Sequence, residues 1–221
     1  MPVSKEDSKL ELFSQFARIG KALSNPNRLQ LMELLAQGER GVDALAKVAG
    51  LSTANASQHL QQLKQAGLVN TRKEGLNVYY RLSGEDVLEL FLSVRQVAQR
   101  HLADVDRILE SLLGNKDELE PVGARDLLAR VSDGNITVLD VRPAEEYAAG
   151  HVPKAINVPL AELEAFVKQL PKGQEVVAYC RGPHCVLAFD AVQTLRELGF
   201  NARRLEDGFP EWQLAGLPVE R

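Results

Sequence analysis

Along the first half of the chain, apolar residues recur at the three-to-four-residue spacing of amphipathic helices. "NPNRLQLMELLAQG" places Leu29, Met32 and Leu35 on one face, with Asn25 as N-cap, Pro26 in the first turn and Gly38 as the stop. "VDALAKVAG" predicts a short helix ended by Gly50. "STANASQHLQQLKQAG" predicts another, capped by Ser52, turning Ala56, Leu60 and Leu63 inward and ending at Gly67. In "LVNTRKEGLNVYYRLS" the period changes, and two strand-like runs about a Glu-Gly turn predict a hairpin. From about Asp86 to Leu112 the pattern predicts one long helix with Leu88, Phe91, Val94, Ala98, Leu102, Val105 and Leu109 along one face. That face is too long for a monomer to leave in water.

"GNKDELEP" interrupts the pattern with Gly, charge and Pro, which sets a linker at 114–120 between domains at 1–113 and 121–221. Beyond it, "ITVLDV", "AINVP", "EVVAYC" and "ARRLE" read as strands. "ARDLLARV", "LAELEAFVKQL" and "LAFDAVQTLRELG" read as helices between them. Alternating strands and helices predict a parallel sheet covered on both faces. The expected fold class is therefore two domains, mainly α followed by α/β.

Composition adds bounds. The 221 residues are 45% hydrophobic and 25% charged, with a formal net charge of -4, which is ordinary for one or two soluble domains. The N-terminus has scattered charges and no apolar core, so it does not read as a signal peptide, and no stretch approaches a membrane span. The expectation is a cytoplasmic protein without a membrane partner, in a compartment that disfavours a stable structural disulfide.

Charge is uneven: residues 1–113 carry 14 basic and 13 acidic residues, and 114–221 carry 12 and 17. Between Arg40 and Arg81 there are six basic and two acidic residues, so a polyanion is expected to meet that segment. Two short helices followed by a basic hairpin have the order of a winged helix-turn-helix. Thr53, Asn55, Ser57, Gln58 and Gln61 are suited to reading base edges of double-stranded DNA, and Arg72, Lys73 and Arg81 to neutralising phosphates.

"LSNPNRLQLMELLAQGE", "VDALAKVAGLSTANASQHLQQLKQAGLV" and "TRKEGLNVYYRL" together resemble the ArsR-type family of small bacterial repressors over roughly residues 10–112. The resemblance implies a homodimer whose first and last helices pair across a two-fold axis, facing a palindromic operator. Many such repressors hold metals through Cys or His clusters. This chain departs from that pattern, with no cysteine before Cys180 and only His101 with Asp104 at i,i+3 spacing on the last helix, so no metal and no cofactor are expected.

"EVVAYCRGPHCV" contains the only two cysteines. A metal site would need more soft ligands, a dithiol oxidoreductase motif would have two intervening residues instead of four, and a phosphatase loop would need Arg where Val186 stands. What remains is a loop between a strand and a helix. There the loop amides, the helix N-terminus and Arg181 would favour the Cys180 thiolate.

Residues 121–221 resemble the rhodanese family throughout, in "VLDVRPAEEYAAGHVPKAINVP" and in "DGFPEWQLAGLPV". The resemblance makes Cys180, Arg181, Gly182, Pro183, His184 and Cys185 the active loop, with Cys180 taking sulfane sulfur from a small donor as a persulfide. Many relatives have Arg at the sixth loop position, where this chain has Cys185. That loss weakens the grip on an anionic donor and puts a second thiol within reach of the first. Asp140, Arg142, Glu145, Tyr147 and His151 read as structural.

The resulting expectation is a homodimeric regulator with a sulfur-sensing rhodanese domain. A sulfurtransferase localised by its DNA-binding half is the alternative, and an inert docking module a third. Whether Cys185 bonds Cys180 stays open at this level.

Overall fold

Three helices of the first half begin at, and end at or near, the residues whose local chemistry marks them. The computed structural model describes residues 5–113, 121–134, 136–170 and 173–221, and the linker expected at 114–120 lies outside the described residues. By compactness the chain divides into Met1–Leu92 and Ser93–Arg221.

In the first unit, α1 spans Lys5–Leu23 and α2 Pro26–Leu35. Asn25 caps α2, its side-chain oxygen accepting from the Arg28 amide at 3.3 Å. Helix α3 (Val42–Ala49) ends at Gly50, where φ is 66°; an L side chain would be strained there. Helix α4 (Thr53–Gln65) begins at Ser52, whose hydroxyl accepts from the Asn55 amide at 3.2 Å. Ala56, Leu60 and Leu63 are fully buried along its inner face. Strands β1 (Arg40–Gly41), β2 (Val69–Glu74) and β3 (Asn77–Leu82) form an antiparallel sheet in the order β1-β3-β2. Glu74 pairs with Asn77 across the hairpin turn, and Gly75 takes φ 59° there. Helix, turn, helix and hairpin make this unit a winged helix-turn-helix.

Arg28 ties its helices together. Its guanidinium donates to the Lys21 carbonyl at 2.8 Å, to the Ala22 carbonyl, and to the Gln62 side-chain oxygen. A cation thus satisfies the last carbonyls of α1 while linking α2 to α4.

The single long helix expected from about Asp86 to Leu112 is instead two, α5 (Glu85–His101) and α6 (Ala103–Leu113), parted at Leu102. Asp104 and Asp106 in the first turn of α6 suit a helix start. The break also divides the apolar face: Leu88 and Phe91 are buried, Leu109 and Leu113 pack on the core of the second unit, and Leu102 is exposed.

That second unit is α/β. Strands β4 (Pro121–Val122), β5 (Ile136–Asp140), β6 (Ile156–Asn157), β7 (Glu175–Tyr179) and β8 (Ala202–Leu205) form an all-parallel sheet in the order β4-β8-β7-β5-β6. Alternation along the central strands feeds two cores. Leu139, Val176, Ala178 and Cys180 face one, with α10 (Val186–Glu197). Val138, Val177 and Tyr179 face the other, with α7 (Ala124–Ser132) and α11 (Phe209–Leu214). The sheet is covered on both faces, as its apolar strands require. Helix α8 spans Ala144–Ala149, and "LAELEAFVKQL" is a four-residue helix, α9 (Leu163–Phe166), between two 3₁₀ turns.

Asp140 and Arg142, both fully buried, meet at the carboxyl ends of β5 and β7. Arg142 Nη2 lies 2.5 Å from Asp140 Oδ2 and also donates to the Gly150 carbonyl at 2.8 Å. The Tyr179 hydroxyl donates to Asp140 Oδ2 at 2.6 Å and accepts from the Val152 amide. Burial, then the neighbouring Asp140 charge, raises the Tyr179 phenol well above its ordinary range, so it stays a donor. Asn157 closes the group by donating to the Asp140 and Arg142 carbonyls.

Arg142→Leu should leave Asp140 buried and unpaired, at a cost of about 3–5 kcal/mol to this unit. Trp212, the only tryptophan and fully buried in the same unit, reports its urea unfolding separately. An unchanged midpoint would mean that the pair carries no stability.

Candidate functional site

The sulfur loop follows β7 directly. Cys180 extends the buried face of that strand and is 1% exposed. The chain then turns through Arg181, Gly182, Pro183 and His184 to Cys185, the N-cap of α10. The Cys185 amide donates to the Gly182 carbonyl at 3.1 Å, which closes the turn. Cys180 and Cys185 are joined by a disulfide, with Cα atoms 6.2 Å apart, within the span such a bond accepts. The bond left open by the sequence is formed because the tight turn returns the chain to its starting strand.

Arg181, which the sequence sets beside the thiol as a free cation, is directed elsewhere. Its guanidinium grips Glu146 through both carboxylate oxygens, Nε at 3.0 Å from each and Nη2 at 2.6 Å from Oε1. Glu146 is fully buried, so this charge-assisted pair anchors the loop to α8 and spends the cation's charge there. Sequence reasoning missed Glu146. The doubled acid in "PAEEY" was the available signal, with one Glu turned in and Glu145 left outside.

A second missed element packs directly on the loop. Gly208 lies so close that a Cβ there would overlap the backbone of Arg181 and Gly182. The Phe209 amide donates to the Cys180 carbonyl at 3.1 Å, and the Gly208 amide to Glu211 at 3.1 Å. Glu211 in turn pairs with Arg95, on the part of α5 that belongs to this unit. The Gly-Phe-Pro-Glu order of the closing segment was visible, but the residue it meets was not.

His184 is half-buried. Burial first, then the Arg95 and Arg204 charges, lowers its pKa from the ordinary 6.5, while Glu211 opposes the shift.

In the first unit, Thr53, Asn55, Gln58 and Gln61 are exposed on α4, and Ser57 is half-buried. The Thr53 hydroxyl donates to Asp43 at 3.0 Å, and the Gln61 amide to the Tyr80 hydroxyl at 3.2 Å. Arg72 is held between Glu39 and Glu74, with contacts of 2.7 Å to each, and lies over the Tyr79 ring. Lys73 and Arg81 are exposed without a carboxylate partner among the described residues. Lys64, which the sequence reading passed over, donates from α4 to the Thr71 hydroxyl on the hairpin at 2.9 Å.

His101 ends α5 and Asp104 lies across the break in α6, bound by Arg107 at 2.8 Å. Among the described residues no group of three His, Cys, Asp or Glu could hold a metal ion, and no helix is long and apolar enough to cross a membrane.

Comparison with known proteins finds the rhodanese-like domain over residues 123–215 and the bacterial regulatory protein, arsR family, over residues 25–71. An HTH-type transcriptional regulator of Mycobacterium tuberculosis is 49% identical over 216 residues, spanning 98% of this chain and 95% of the relative. Among solved structures, a homodimeric winged helix-turn-helix DNA-binding domain from Mycobacterium bovis is 50% identical. It covers 47% of this chain and 95% of its own, with TM-score 0.43. A rhodanese-related protein from Thermoplasma volcanium is 32% identical over 46% of this chain and 97% of its own, with TM-score 0.41.

Two outcomes follow from the loop geometry. Gly208→Ala should force the loop and closing segment apart, destabilising the unit by about 1–3 kcal/mol, as read by Trp212 fluorescence in urea. His184 binds its proton less readily folded than unfolded, so stability should fall as pH drops below 6.5. His184→Gln should flatten that part of the melting profile; identical profiles would assign the acid sensitivity to another group.

Proposed function

The chain belongs to the family of HTH-type transcriptional regulators that join an ArsR-family domain to a rhodanese-like domain, and on that premise we propose that it is a cytoplasmic, homodimeric repressor that senses sulfane sulfur at Cys180. The observation that carries this reading is the juxtaposition of Cys180 and Cys185 at the carboxyl end of a central strand. Ligand chemistry in open parallel sheets is placed at that end.

The chemistry runs in two balanced steps. The Cys180 thiolate attacks the sulfane sulfur of a donor such as thiosulfate, forming an S–S bond and releasing sulfite. Cys185, as thiolate, then attacks Cys180 Sγ, forms the disulfide and expels the outer sulfur as hydrosulfide. Both thiols are oxidised and the sulfane sulfur is reduced. The loop amides and the N-terminus of α10 favour the thiolate form of Cys180. A disulfide with only four residues between its cysteines adds less chain-entropy stabilisation than one closing a long loop, which suits a reversible state better than a permanent staple.

For the DNA-binding half, the exposed polar side chains of α4 are offered to base edges, and Lys73 and Arg81 to phosphates of a palindromic operator. Arg72 is offered as a wing residue whose position is fixed by Glu39 and Glu74. Dimerisation is supported by apolar residues left in water on α1 and beyond it: Leu10 is 72% exposed, Phe16 58%, Val97 58% and Leu112 55%.

The deciding measurement is affinity for a duplex selected from a random pool by the reduced protein. Polysulfide treatment should weaken binding by about fivefold or more, in the range of ordinary allosteric coupling. Cys180→Ser should abolish the effect. An unchanged wild-type affinity would defeat the sensing reading and favour a sulfurtransferase whose DNA-binding half only localises it. Separately, Lys73→Ala should flatten the salt dependence of binding by about 0.9 in log–log slope, the loss of one phosphate contact.

A further inference from the structure

The loop has neither a free arginine of its own nor the arginine that relatives carry at its sixth position. Position 185 is a cysteine, and the Arg181 guanidinium is committed to buried Glu146. An anionic donor approaching Cys180 nevertheless meets a cation from outside the loop. Arg95 lies against Gly182: a Cβ built on that glycine would be 3.1 Å from Arg95 Nη1. Its Nη2 is taken by Glu211, which also accepts from the Gly208 amide and so holds the guanidinium at the loop. Arg95 is about a quarter exposed, on the part of α5 within the second unit.

We propose that Arg95 is the anion-binding residue of the sulfur loop, supplied by α5 in place of the missing loop arginine, and that it selects donors carrying an oxyanion next to the sulfane sulfur. The inference rests on the sulfur-handling reading of Cys180. Nη2 keeps Glu211, and Nη1, which faces the glycine, is left to donate a charge-assisted hydrogen bond to an oxygen of the sulfur donor. Gly182 is what permits the approach, since any side chain there would crowd the guanidinium. The Glu211 carboxylate on Nη2 opposes the incoming charge, so removing that charge should tighten binding of an anion at Nη1.

The test uses the full-length reduced chain with Cys185→Ser, in which Cys180 is the sole thiol. Sulfate, an unreactive divalent oxyanion, should slow alkylation of Cys180 by iodoacetamide. Arg95→Gln should raise the half-protecting sulfate concentration by about tenfold or more, as expected for losing a hydrogen bond to a charge. Arg95→Lys should retain part of the protection. Glu211→Gln should lower the half-protecting concentration, a change of opposite sign that a merely structural role would not produce. Protection that is absent, or unaffected by Arg95→Gln, would overturn the proposal.

A second arm follows sulfur uptake at Cys180 by mass spectrometry. Arg95→Gln should slow uptake from thiosulfate and leave uptake from neutral dimethyl trisulfide unchanged; equal slowing of both would also overturn it. No uptake from either donor would defeat the persulfide reading instead, and the sulfate arm would still decide the role of Arg95.

Discussion

The buried Asp140–Arg142 pair is the interaction on which the second unit depends. Two charges with no exposure to water persist only where every remaining donor and acceptor is met. Here the Tyr179 hydroxyl and the Arg142 amide donate to the Asp140 carboxylate, and the Gly150 carbonyl accepts from the Arg142 guanidinium. The pair therefore fixes the ends of β5 and β7 against each other. Tyr179 immediately precedes Cys180, and Arg142 lies 4.2 Å from the centre of the Phe209 ring, whose amide holds the Cys180 carbonyl. The strand end that carries Cys180 is thus held by this buried network.

Around that fixed point the loop is held by two further contacts. Arg181 pairs with buried Glu146 on α8, and Gly208, just before α11, packs on the backbone of Arg181 and Gly182. These contacts hold Cys180, Arg181 and Gly182, the first half of the loop, and leave Pro183, His184 and Cys185 as the part able to change. The proposed chemistry asks this of it, since Cys180 must be bonded in one state and open to a donor in the other.

The first unit follows a different logic. Its core is made by α2, α3 and α4 with buried Arg28 as the cross-tie, and its polar residues stay outside on α4 and the hairpin. Arg72 shows how exposed charge is organised. Two carboxylates and the Tyr79 ring hold a side chain that would otherwise sample many rotamers, trading free charge for a defined position.

Much of this was determined by the sequence alone. Caps at Asn25 and Ser52, stops at Gly50 and Gly67, and the change from helical spacing to short apolar runs are local signals, because a helix end or a strand's burial is written in adjacent residues. So were both family resemblances and the place of Cys180 at a strand end. The tertiary structure decided what depends on residues distant in sequence. The long amphipathic pattern after Asp86 gave no sign that it breaks at Leu102, because both helices keep the same period while their apolar sides pack on different partners. Spacing left the cysteine bond open, since closure depends on how the Gly182-Pro183 turn is held. Most of all, the charges around the loop were illegible: Arg181 with Glu146 and Arg95 with Glu211 are 35 and 116 residues apart, and only packing brings them together. A side chain's type is fixed by its codon, but the charge it presents is fixed by its neighbours in space.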